Sequence, residues 1–591
     1  MKIIRVTVVS ALAATVSVAD NYTWAPFEGT GTVFQADSNW TPSGSVPGVS
    51  DTAAFSGANT YAVAFNGNVT NAGVTIGSPV AGTDAAFDLN GWLWKLTGTL
   101  GFGAAGAAGT ATFGGGALEV ENLVSVFNSQ KLVLNGTSSH FKQRIVTEDG
   151  GVLEVGGGNH VFGPVPPQNA SGVGLLMKAS PSGVPSFRVT NGIVSVNGAF
   201  SSDLNKTTWI SLEGGTLRVP SGSYGVVMEG PVTLDVHTNA VFENLSGRYY
   251  FGRRKGLSTI NILGGAVTNT TSGGHIGSAY APGSTSVVNL ADGIFYSSGS
   301  LGFGGTSGTY TNAVGILSQS GGRVHMASIL QFGFGVGAVG IYTQSGGTAW
   351  CSQLRLGNNN GSGSQGLVYL AGGTLALNSN PYLGNGVGCT GCIYQTGGEL
   401  LVSNGMDLAV ITNAFGLYHY KGGKARVNGS VSIGSGALSV GRMISEGSEL
   451  SVLGNLNVAS GVSSTGEVVV AGGSLVCPNV QYIGRGSNSV GRLCVTGGQL
   501  SCSNELQIGC AAGAFGGVYL TNGVITSVGG GHGYCLGYAS GATGELVVAG
   551  GQLTAMNTYS ILAGVGSNAF GSVTISGGTN DIRSLRIGHM G

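Results

Sequence analysis

A Gly-Gly pair that returns at near-constant spacing constrains this chain more than any other feature. The first residue of each pair, or of its substitute, falls at 264, 292, 321, 346, 372, 397, 422, 447, 472, 497, 522, 550 and 577, and eight of the nine spacings between 321 and 550 are 25 or 26. The flanks keep the same register. Four residues before the pair lie Leu317, Tyr342, Val368, Ile393, Tyr418, Met443, Val468, Leu493, Val518, Leu546 and Val573. Three after it lie Val324, Ala349, Leu375, Leu400, Ala425, Leu450, Leu475, Leu500, Ile525 and Leu553, and two residues further on Leu377, Val402, Val427, Val452, Cys477 and Cys502. Alternation of period two belongs to strands, not helices. A phosphate loop or a catalytic turn has no reason to recur in this way; a corner does.

A third short strand closes each unit with an apolar-Gly pair, as in Leu383-Gly384, Ile433-Gly434, Ile483-Gly484, Ile508-Gly509 and Leu536-Gly537. Three short strands and three corners in about 25 residues describe one coil of a parallel β-solenoid. The expected fold is therefore all-β, a parallel solenoid read as a right-handed β-helix, with each strand pairing to its copies about 4.8 Å above and below. The thirteen recognisable coils would span roughly 60 Å. A propeller blade needs about 40–50 residues, and a leucine-rich repeat would carry its Leu/Asn consensus and a helical segment. Neither fits.

Composition agrees with an elongated array. The chain has 591 residues, 111 of them Gly, yet only 14 Pro and 42% hydrophobic residues, so it is neither collagen-like nor too polar to fold. Charged residues are 8% and the net charge is -1, which gives no electrostatic argument for nucleic acid or an anionic membrane.

Four segments follow. Residues 1–19 read as a secretory signal, with Lys2 and Arg5 ahead of an apolar stretch from Val6 to Val18 and Ser17-Val18-Ala19 as the cleavage site. Beyond it no window is apolar for long enough to predict a transmembrane helix in the mature chain. Residues 20–99 hold Trp24, Trp40, Trp92 and Trp94 and are expected to cap the first coil, because an open solenoid end exposes strand edges. Residues 100–260 carry degraded repeats such as GGGALEV and GGTLRV and are expected to form irregular coils. Residues 261–591 form the regular repeats, ending at LRIGHMG in a coil that reads as incomplete.

The unit G-x-apolar-x-apolar-x-G-G-x-Leu-x-apolar…apolar-x-Ile-Gly, seen from Gly491 to Gly509, resembles the repeat associated with bacterial type V secretion (autotransporter) and PEP-CTERM proteins. The likeness covers roughly residues 261–591, and the opening Trp…SNW…VPG…DTAAF is similar to the mature start of many such exported proteins. It implies an extracellular or cell-surface β-helix, outer-membrane association included, with structural or adhesive roles and no defined catalytic residues. Neither a translocator barrel nor a PEP-CTERM tail is recognisable, so an autotransporter passenger without its barrel is one alternative reading.

The other alternative is a β-helix polysaccharide lyase or hydrolase, which needs clustered carboxylates for acid/base work or for a cation. The charges of the regular coils instead form ladders: Glu399, Lys424 and Glu449 recur at one interval, as do Arg442, Glu467 and Arg492. Alternating signs stacked across strands support register. An enzyme reading is left with the irregular coils, for example Glu148-Asp149 or Asp203. The eight His share no metal-ligand spacing, no GxSxG elbow occurs, and no cofactor or metal is expected.

All eight Cys lie between 351 and 535. Cys477 and Cys502 occupy the same inward position of adjacent coils, within reach of a disulfide or stacked as two free thiols. Cys389 and Cys392 are a second local pair. Two surface features are candidate contacts for glycans or other surface proteins. An outward row three residues before each Gly pair reads Tyr369, Tyr394, His419, Ile444, Val469, Cys494 and Tyr519. The stretch SGRYYFGRRKG carries the basic cluster Arg248, Arg253, Arg254 and Lys255, suited to an acidic glycan.

Overall fold

The computed structural model describes residues 19–588 except 26–31, 56–59, 78–82, 103–108, 128–129, 137, 165–172, 181, 205, 221–224, 247–248, 254–255, 271–272, 277–282, 306–311, 359–362, 530–531 and 557. The expected signal segment thus lies outside the described residues, Ala19 excepted. In the coil around Gly497, the alternating residues become three strands, Val490–Val495, Gln499–Cys502 and Leu506–Ile508. Leu493, Val495, Leu500, Cys502, Leu506 and Ile508 all point into the core and are buried. Each strand pairs in parallel with its copy in the next coil, Leu493 with Val518, Leu500 with Ile525 and Ile508 with Leu536. The pattern holds for about 19 turns. At about 4.8 Å per turn this is a rod roughly 90 Å long. The fold is the all-β parallel solenoid that the period requires. We call the three sheets the first, second and third faces, in the order in which the chain meets them within a coil.

The Gly-Gly corner between the first and second faces is set by backbone crowding. A Cβ on Gly346 would lie under 3.0 Å from the Ser320 carbonyl oxygen of the preceding coil, and one on Gly347 equally close to the Gly321 oxygen. Gly347 also has φ +69°, a conformation that L side chains rarely adopt. The tight corner turns carbonyl oxygens toward the interior, and in several coils a buried polar side chain two residues before the pair satisfies them. Gln319 Nε2 donates to the oxygens of Gly321, Gly322 and Thr348 at 3.1, 3.2 and 3.1 Å. Gln344 repeats this one coil later, donating to the Thr374 oxygen at 3.0 Å. At the equivalent place further along, the Tyr420 hydroxyl donates to the Gly423 and Glu449 oxygens at 2.8 Å. Leu370 and Val470 hold the same position in other coils and are buried there, so the row alternates between polar support of the corner and plain apolar packing.

Upstream, the stacked coils start earlier than the boundary near residue 100 that the visible repeats suggest. Thr52–Phe55 pairs in parallel with Gly73–Ile76, and that strand with Leu100–Phe102. Thr60–Ala64 and Thr83–Asp88 stack beneath Gly109–Gly114 in the same way. These coils lack the Gly-Gly signature, which is why their period is hidden. Trp94, expected in the cap, is a buried core residue whose Nε1 donates to Asn71 Oδ1 at 2.8 Å. Among the described residues, the first strands lie at the open end. Trp40–Thr41 runs antiparallel to Asn21–Trp24, and the Trp24 and Trp40 rings meet edge to face at 4.8 Å. At the other end, the core-row residues Leu585 and Ile587 are exposed, because no described coil lies over them.

Candidate functional site

The outward row of the first face is a true ladder. Tyr369 pairs with Tyr394, Tyr394 with His419, and the register continues through Ile444, Val469, Cys494 and Tyr519. The parallel sheet fixes the vertical spacing, so flat side chains stack. The Tyr369 and Tyr394 rings lie 5.3 Å apart at 10°, and the His419 ring meets Tyr394 edge-on at 6.2 Å. His419 Nε2 lies 3.2 Å from Glu446 Oε1, a contact that becomes an ion pair when the ring is protonated. Tyr519 stands apart from the stack, its hydroxyl donating to Glu545 at 2.9 Å. Burial, with the neighbouring carboxylate second, pushes the Tyr519 hydroxyl up to about 12.

A second aromatic ladder escapes the offset that reveals the first. On the second face Tyr296, His325 and Trp350 occupy one outward register. Their rings stack at 5.4 Å and 29°, then at 4.6 Å and 28°. Each lies four residues after the first position of its Gly pair, and counting at that offset finds them. The two ladders occupy six successive coils on either side of the Gly-Gly corner.

Of the basic cluster only Arg253 falls among the described residues. Arg253 is paired with Glu229 at 2.5 Å and lies over the Tyr250 ring at 5.9 Å. Arg248, Arg254 and Lys255 lie outside the described residues.

Two of the carboxylates singled out in the irregular coils are held by cations. Glu148 contacts Lys178 at 2.5 Å and Asp149 contacts Lys206 at 3.0 Å. The hydrogen bond from Lys206 holds the Asp149 carboxyl below its ordinary range. Asp203 lies within electrostatic range of Lys178. A general acid needs its affinity for the proton raised, and at Asp149 it is lowered. Of the regular ladders, Arg442 and Glu467 close to 2.7 Å, and Arg492 takes the next rung. Glu399 and Lys424 share a register, and Glu449 accepts a hydrogen bond from Ser451 at 2.9 Å.

Cys477 and Cys502 face each other in register as buried free thiols, not as a disulfide. Burial pushes the Cys477 thiol up to about 12 and raises the Cys502 thiol as well. Both pack as small core groups. Cys389 and Cys392 are likewise buried and form no disulfide, and Cys389 Sγ accepts a hydrogen bond from Ser364 at 3.0 Å. Among the described residues no three His, Cys, Asp or Glu side chains converge as metal ligands, and no helix is long and apolar enough to cross a membrane.

Comparison of the chain with family models, curated proteins and solved structures found no match.

Proposed function

We propose that the chain is an exported β-solenoid with a structural and adhesive role at the cell surface or outside the cell, without catalysis, binding glycans or other surface proteins through its outer rows. The observation that carries this reading is the Tyr369–Tyr394–His419 ladder, aromatic side chains held on a rigid parallel sheet. Tyr369 is 41% exposed, so part of its ring is open to a ligand. The signal-like residues 1–19 and the resemblance to autotransporter and PEP-CTERM-associated repeats support export. The ion pairing of Glu148 and Asp149 favours this reading over a carbohydrate-active enzyme.

The test is glycan-array binding together with polysaccharide depolymerisation by residues 20–591. The expected result is glycan or protein binding that Tyr394→Ala weakens, with no turnover. Turnover abolished by one carboxylate substitution would sink the proposal.

A further inference from the structure

The Tyr296–His325–Trp350 ladder ends abruptly. The next rung is Ala376, whose methyl group is too small to cover the indole. A groove of about 370 Å³ opens at this step, lined by Arg323, His325, Thr348, Trp350, Thr374 and Ala376. Its volume falls within the roughly 300–1,000 Å³ of small-molecule sites. Arg323 is exposed, and one of its amino groups lies 3.2 Å from His325 Nδ1. Burial, and secondarily the Arg323 charge, lowers the proton affinity of His325, so the neutral ring accepts that hydrogen bond through Nδ1. The contact orients the guanidinium beside the groove while its remaining donors stay available.

We infer that this groove binds an acidic pyranoside, one sugar unit of a uronate-containing polysaccharide. An indole has an electron-rich face that attracts the C–H groups on the apolar side of a sugar ring. Thr348 and Thr374 are neighbours on adjacent coils, about 4.8 Å apart, and present hydroxyls that can donate to or accept from sugar hydroxyls. The Arg323 fork matches a single carboxylate. One guanidinium suits one carboxylate per sugar better than the several charges of a nucleotide phosphate. This site stands apart from the first-face ladder in residues and in face, so its failure leaves the reading of Tyr369 and Tyr394 intact.

The test is calorimetry on residues 20–591 with a galacturonate tetramer and with its carboxyl-reduced, neutral counterpart. The acidic tetramer binds more tightly than the neutral one, and Trp350→Ala weakens it by about tenfold or more. Arg323→Gln brings the acidic tetramer down to the neutral level. Ala376→Trp extends the ladder into the groove and blocks binding while leaving the circular dichroism unchanged, which keeps the test decisive if Trp350→Ala fails to fold. Binding of neither tetramer, equal binding of both, or persistence of binding in Ala376→Trp would each overturn the inference.

Discussion

The Tyr418 hydroxyl donates to the Gln395 side-chain oxygen of the preceding coil at 2.7 Å, and the Gln395 amide donates in turn to the Lys424 carbonyl at 2.9 Å. Both side chains are buried, so the pair joins two coils and fills the open hydrogen bonds of a corner at once. Gln395→Ala leaves the Tyr418 hydroxyl and the Lys424 carbonyl without these partners and opens a cavity. It should cost about 2–4 kcal/mol, and Tyr418→Phe about 1 kcal/mol. Urea unfolding followed by circular dichroism checks the order. Equal, negligible losses would show that the network contributes nothing.

Gly346 and Gly347 are crowded by backbone, not by movable side chains. Ala at either position must displace the neighbouring coil, and at Gly347 it must also hold a left-handed φ. Either substitution should destabilise by more than about 2 kcal/mol, whereas Gly136→Ala, with nothing within 4 Å of its Cβ, is limited to the conformational term of about 1 kcal/mol. Because coils of a solenoid open locally, hydrogen exchange in the coils around Gly346 is the sharper readout. Uniform protection in the Gly346 variant would contradict the crowding.

Glu119 lies between Lys142 at 2.6 Å and Lys95 at 3.1 Å. The Lys142 hydrogen bond is the main cause that holds its carboxyl down to about 2. A depressed folded value contributes stability above the ordinary carboxylate range and loses it as pH falls toward about 2. Wild type should therefore exceed Glu119→Gln in stability at neutral pH, by about 1 kcal/mol or less for a surface network, and the two should converge near pH 2. Thermal melts across that window, repeated in high salt, measure the difference. A gap that widens on acidification would reverse the sign.

Burial raises all three thiols, but Cys477 and Cys502 are buried, whereas Cys494 is only half-buried on the outer row and stays accessible. Iodoacetamide at neutral pH should label Cys494 in the folded protein and reach Cys477 and Cys502 only after unfolding. Peptide mapping by mass spectrometry resolves the order. A Cys477–Cys502 cross-linked peptide would show instead that the stacked thiols oxidise.

Much of this architecture is legible in the chain because a solenoid writes its tertiary contacts as a period. The Gly-Gly spacing and the alternating Leu493, Val495, Leu500 and Cys502 predict strands, corners and stacking register, down to the facing of Cys477 and Cys502. Side chains in equivalent positions must meet when each coil lies directly on the one below. What the tertiary structure alone decided depends on contacts that no period records. Trp94 became core because its nitrogen finds Asn71 across the coil, although composition places it with the cap. Arg253 pairs with Glu229, 24 residues earlier, a contact that the local run of basic residues does not announce. The groove beside Trp350 exists because the next rung happens to be alanine. Periodicity sets which residues share a row; the size, charge and pairing of each neighbour, set only when coils stack, decide whether that row is a filled ladder, an ion pair or a site.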